Sequence, residues 1–194
     1  MSEHLTVIYS EGHDLDSYIF QKAIRWAEQN MDDFVFWMRK QPMDKIPEID
    51  IDWSQKIEAL KRLKFLYNSK HLSAACMNTI LSDIEDVAAI IIQTDIYQKP
   101  PEFGTLLATL AHFCNQKNSK AVVCIDTMRN EFYRPPSPTY DQWESGPFVP
   151  IEVDEHEQDD FIFDSPENLN QFHLISTIYS KDIYFFDGTN FNKK

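Results

Sequence analysis

The sequence predicts a single doubly wound α/β domain, with a parallel sheet flanked by helices. Three observations carry this. Apolar runs of strand length, VAAIII at 87–92 and AVVCID at 121–126, lack the alternation of a half-exposed strand and read as buried on both faces. Segments with apolar residues at three- and four-residue steps lie between such runs and read as amphipathic helices. A length of 194 residues, 43% of them apolar and 13% aromatic, suits one domain with a substantial core.

The elements follow in order. LTVIYS (5–10) is a β-branched strand bounded by Glu11 and Gly12. Asp14 or Asp16 caps a helix that carries Leu15, Tyr18, Ile19, Ala23, Trp26 and Ala27 on one face. DFVFWM (33–38) is a second strand, and KQPMDKIPEIDID a long Pro-containing loop. Helical spacing returns at Ile57, Leu60, Leu63 and Leu66, then at Leu72, Ala75, Cys76, Thr79 and Ile80. After the strand at 87–92, two prolines and Glu102 open a helix over about 101–116, and the strand 121–126 follows. The part from 127 to 194 is loop-rich. It holds a turn-rich stretch, YRPPSPTYDQWESGPF, an edge strand at DFIFD (160–164), and a helix at SPENLNQFHLIS. Its end, DIYFFDGTNF, is an aromatic tail that docks on the body or on a second subunit, with Tyr184, Phe185 and Phe186 at the contact.

Charge and composition exclude several partners. A formal charge of -13 repels phosphate backbones, and no Lys/Arg cluster with interleaved aromatics offsets it, so nucleic acid is not expected as a partner. No run approaches the roughly 18 apolar residues of a membrane span, and the N-terminus has no secretory signal pattern, which points to the cytoplasm. Cys76, Cys114 and Cys124 are odd in number and set in apolar segments, as reduced core thiols are. The acidic run EVDEHEQDD (152–160) offers His156 as its only nitrogen ligand and lacks the oxygen spacing of a hard-cation loop. No metal and no cofactor are expected.

Ligands of open parallel sheets bind where strand ends run into helix N-termini. That gathers YSEGHD after the first strand, QTDIYQKPPEFG after 87–92 and DTMRNEF after 121–126 around one crevice. Glu102 lies in the second segment, in a helix first turn that stabilises an ionised carboxylate. Such a carboxylate can act as a nucleophile or stabilise an oxocarbenium ion, and it can equally be a plain partner of the helix dipole. Spacing leaves both open.

Several segments together resemble the nucleoside 2-deoxyribosyltransferase family and its relatives, the deoxynucleoside monophosphate N-hydrolases. VIYSEG matches the family's first strand at Tyr9 and Gly12, and DVAAIII with EFG its central strand and Glu-x-Gly helix start at Asp86, Glu102 and Gly104. IDTMRNEF matches the following strand end at Asp126 and Arg129, and GPF (146–148) with FDSPENLNQF (163–172) the late loop and last helix. The resemblance implies a flavodoxin-like or Rossmann-like fold and a Glu102 nucleophile that attacks the sugar C1 of a nucleoside and displaces the base. It implies Tyr9 orienting Glu102, and Gly12, Asn78, Asp86, Gly104, Asp126 and Arg129 around the substrate. Asn78 stands where the family carries an aspartate, YQKPP replaces a glycine-bearing loop, and Val149 follows Phe148 in place of an asparagine. Asp95, seven residues before Glu102 on the same loop, can serve as a replacement acid or be a plain turn residue. The acidic SEGHDLDS favours a free nucleoside over a monophosphate. The expected function is cleavage or transfer at an N-glycosidic bond in a homo-oligomer. The alternative is a catalytically degenerate member that binds a nucleotide-like ligand or a protein partner.

Overall fold

The computed structural model describes residues 1–39, 42–43, 46–47, 49, 52–67, 86–95, 100–127 and 166–193. The elements are β1 (Ser2–Ser10), α1 (Asp16–Gln29), β2 (Phe34–Arg39), a 3-10 turn (Trp53–Gln55), α2 (Ile57–Arg62), β3 (Leu63–Tyr67) and β4 (Val87–Asp95). They continue with α3 (Pro100–Lys117), β5 (Lys120–Asp126), α4 (Pro166–Tyr179), β6 (Ser180–Phe186) and β7 (Phe191–Lys193). The sheet runs β3-β2-β4-β5-β1-β6-β7, parallel throughout except for the antiparallel β6/β7 pair. This is the expected α/β architecture, a mostly parallel sheet flanked by helices. No helix among the described residues is long and apolar enough to cross a membrane.

Two apolar clusters hold the layers together, one on each face. Leu5, Val7 and Tyr9 of β1 join Ile90 and Ile92 of β4, Val123 and Ile125 of β5, and the buried stripes of α3 and α4. Ile8, Ile91, Val122 and Cys124 point the other way, against Ile19, Phe20, Ala23, Ile24 and Ala27 of α1. The period-2 alternation of each strand thus feeds two cores, which is why the sequence shows apolar runs rather than alternation. Helix ends are set locally. The Asn30 amide and side chain both donate to the Trp26 carbonyl at the end of α1, and Asn118 adopts a left-handed φ of 56° after α3.

One segment differs from the sequence expectation. The helical spacing from Ile57 through Leu66 is helix only to Arg62, and Leu63–Tyr67 is an edge strand parallel to β2. Phe65 stacks on Trp37 with ring centroids 5.4 Å apart, a cross-strand contact that the helix would forgo. The aromatic tail docks on the body by joining the sheet itself. Its Ile183–Phe186 portion lies in β6, beside β1, with Ile183 in one core and Phe186 in the other. Gly188 turns the chain into β7 at φ 96°, and the Asp187 carboxylate accepts the Asn190 and Thr189 amides at 2.8 and 3.0 Å. Those bonds hold its pKa well below the usual carboxylate range. The helix expected around Leu72–Ile80, the strand at 160–164 and the late loop at 146–149 lie outside the described residues.

Candidate functional site

The chain leaves β1 toward the face that carries α1 and leaves β4 toward the opposite face, where α3 packs. Between these two exits, at the carboxyl ends of the strands, lies a cavity of about 290 Å³. Ser10, Gly12, His13, Asp14, Leu15 and Asp16 form one wall, and Arg39, Gln93, Thr94, Cys124 and Asp126 the floor and the other wall. Segments from the three expected loops therefore meet, joined by the end of β2.

The wall after β1 is tied to β5. Gly12 has a φ of 68°, open to glycine at little steric cost, and its amide donates to Asp126 Oδ1 at 2.9 Å. The Thr127 amide and hydroxyl both donate to the Ser10 carbonyl, at 2.8 and 2.9 Å. Asp14 Oδ1 accepts the Asp16 amide at 2.7 Å, which shapes the turn into α1. His13 closes one side: it meets Phe186 edge-on at 6.0 Å, and a Cβ on Gly188 would lie 2.9 Å from its ring. Across the floor, Arg39 pairs with Asp16 at 2.9 Å, Asp16 accepts from Gln93 at 2.7 Å, and Gln93 accepts from the Trp37 indole at 2.9 Å. Burial pushes the Cys124 thiol up to about 12, so this lining thiol stays protonated and unreactive near neutral pH.

The described site residues divide between this cavity and other places. Gly12 and Asp126 line it. Glu102 is exposed in the first turn of α3 and is not among the lining residues. Tyr9 is 1% exposed on the α3/α4 face, where its hydroxyl shares a 2.7 Å hydrogen bond with Ser176 rather than Glu102. Burial raises its pKa well above the ordinary phenol value, against the lowering effect of Ser176. Gly104 faces α4, and a Cβ there would lie 3.7 Å from Ile175, an ordinary contact. Asp86 is exposed at the far end of β4, roughly 3.3 Å per residue away from the crevice over nine residues. Asp95 ends β4 in register with Asp126. Asn78 and Arg129 lie outside the described residues.

Sequence reasoning missed Arg39 as part of the crevice and Trp37 behind it, gave Gln93 only as the start of a crevice segment, and saw Asp16 only as a cap. Arg39 carried a usable signal, as a charged residue closing an apolar strand at its carboxyl end. No family model matches the chain, and no curated protein matches its sequence.

Proposed function

We propose that this chain is a nucleoside deoxyribosyltransferase-like protein that binds a small neutral ligand of nucleoside type in the crevice. The observation that carries this is the crevice itself, which lies where parallel sheets hold their ligands. Its size lies just below the roughly 300–1,000 Å³ of small-molecule sites. Among the described residues three carboxylates, Asp14, Asp16 and Asp126, line it against one guanidinium, Arg39, which Asp16 already pairs. Carboxylates accept from sugar hydroxyls and repel a phosphate, so the nucleoside fits better than its monophosphate. Binding without turnover is the better supported of the two family readings, because Glu102 stands apart from the lining and the Tyr9 hydroxyl is bonded to Ser176.

Thermal shift across a panel of nucleosides and their monophosphates tests this. Nucleosides should raise Tm through linkage, monophosphates should do so less, and Asp126→Ala should remove the shift. A panel that leaves Tm unchanged sinks the proposal, as does a shift that survives Asp126→Ala. One observation favours turnover at a second place. Glu102 and Tyr9 both belong to the α3 side of the sheet, near its carboxyl end. Release of free base from a deoxynucleoside, lost in Glu102→Gln, would place chemistry there.

A further inference from the structure

We infer that Arg39 is the specificity-determining residue of the crevice, offering its unused guanidinium N–H groups to a carbonyl-type acceptor on a neutral ligand. The inference rests on the crevice being the binding site. Arg39 closes a ring of four side chains drawn from β2, β4 and α1. Its Nη1 donates to Asp16 Oδ2 at 2.9 Å, and Asp16 Oδ1 accepts from Gln93 Nε2 at 2.7 Å. Gln93 Oε1 accepts from Trp37 Nε1 at 2.9 Å, and the Arg39 guanidinium carbon lies 5.4 Å from the centroid of the Trp37 ring. Each member fixes the next. Trp37 is fully buried, and its indole N–H can only donate, so the Gln93 oxygen turns toward it and the Gln93 amide nitrogen toward Asp16. Asp16, held at one oxygen, holds Arg39 with the other.

The ring leaves most of the fork unspent. A guanidinium carries five N–H donors in a plane, and the bond to Asp16 uses one. Among the described residues no second acceptor bonds Arg39, whose side chain is only 16% exposed and lines the cavity. A rigid donor array therefore lines the cavity. Charge selects the acceptor. A phosphate at Arg39 would meet Asp14, Asp16 and Asp126 as well, whereas a carbonyl oxygen takes the same hydrogen bonds without that repulsion. Lysine would supply a mobile point charge in place of the planar fork.

Isothermal titration of the full chain with inosine and with purine riboside tests this, because the two differ at the 6-carbonyl and its neighbouring ring proton. Inosine should bind about tenfold more tightly, the size of one charge-assisted hydrogen bond. Arg39→Lys should bring that ratio close to one, with an unchanged circular dichroism spectrum as the check on folding. If Arg39→Lys does not fold, Gln93→Leu, which releases Asp16, carries the same expectation. Equal affinities in the wild type, or a ratio preserved in these variants, overturn the role of Arg39 while the crevice stands. Failure of both nucleosides to bind overturns the crevice as a nucleoside site and this inference with it.

Discussion

Tyr9 and Ser10 are neighbours in one strand, yet they belong to two different environments. Tyr9 points into the α3/α4 face, where its ring stacks on Phe185 at 6.0 Å and its hydroxyl meets Ser176, while Phe103 packs on Phe172 at 5.0 Å. Ser10 lines the cavity on the α1 side, with Asp16, Arg39, Gln93 and Asp126. Both faces sit at the same end of the same strands, so the position rule for parallel sheets does not distinguish them. Filling does. At the end of β1 the rings of Tyr9, Phe185, Phe103 and Phe172 fill the first face, whereas Ser10, Gly12, Asp16, Arg39 and Asp126 line open space on the second. The comparison teaches that a strand-end residue can be placed for chemistry by topology and still be committed to packing.

The largest effect should come from the packed face. Phe172 is 1% exposed between α3 and the sheet, so Phe172→Ala should cost about 3–5 kcal/mol in urea unfolding. Crevice substitutions should fall well short of that, and an equal loss from Gln93→Ala would erase the contrast. Tyr9→Phe comes next. It strands the Ser176 hydroxyl, which is 0% exposed, and should cost about 1–3 kcal/mol. Adding Ser176→Ala should recover most of the loss, because two matched apolar groups need no partner. If Tyr9 instead orients a catalytic group, the double variant will regain stability without regaining base release.

The strands at 2–10, 34–39, 87–95 and 120–126 were legible because burial on both faces leaves continuous apolar runs, and α1 and α3 because their stripes repeat at helical steps. β3 was not. Leu63 continues the spacing of Ile57 and Leu60, and only its pairing with Val35 decides for the strand. In β6, Tyr184 and Phe186 serve one core and Ile183 the other, so the segment shows no alternation. The Asp187-Gly188 pair between aromatic runs was a hairpin signal that the chain did offer. The approximate place of the crevice followed from the strand ends, but its ring did not. Asp16, Trp37, Arg39 and Gln93 span 77 residues of sequence, and no local pattern records that they touch.

Asp16→Asn sharpens the charge side of the comparison. The pair with Arg39 is partly exposed, at 16% and 22%, and asparagine can still accept from Gln93, so the stability loss should be about 1–2 kcal/mol. The guanidinium then loses its neutralising partner. Affinity for a nucleoside monophosphate should rise relative to the nucleoside, a reversal that titration calorimetry reads directly. An unchanged preference would mean that Asp16 does not govern the crevice field.

Glu102→Gln should have the smallest effect on folding. Glu102 is exposed, and its contribution through the helix N-terminus is below about 1 kcal/mol in the usual range. The substitution keeps shape and hydrogen-bonding capacity but removes the nucleophilic charge. Its value lies in separating the two faces. If the crevice only binds, Glu102→Gln should leave the nucleoside-induced rise in Tm as it is in the wild type, and neither protein should release free base. If turnover occurs on the α3 side, base release will vanish in Glu102→Gln while its melting temperature stays near that of the wild type. A nucleoside shift that disappears in Glu102→Gln would join Glu102 to the ligand and break the division between a packed face and a binding face.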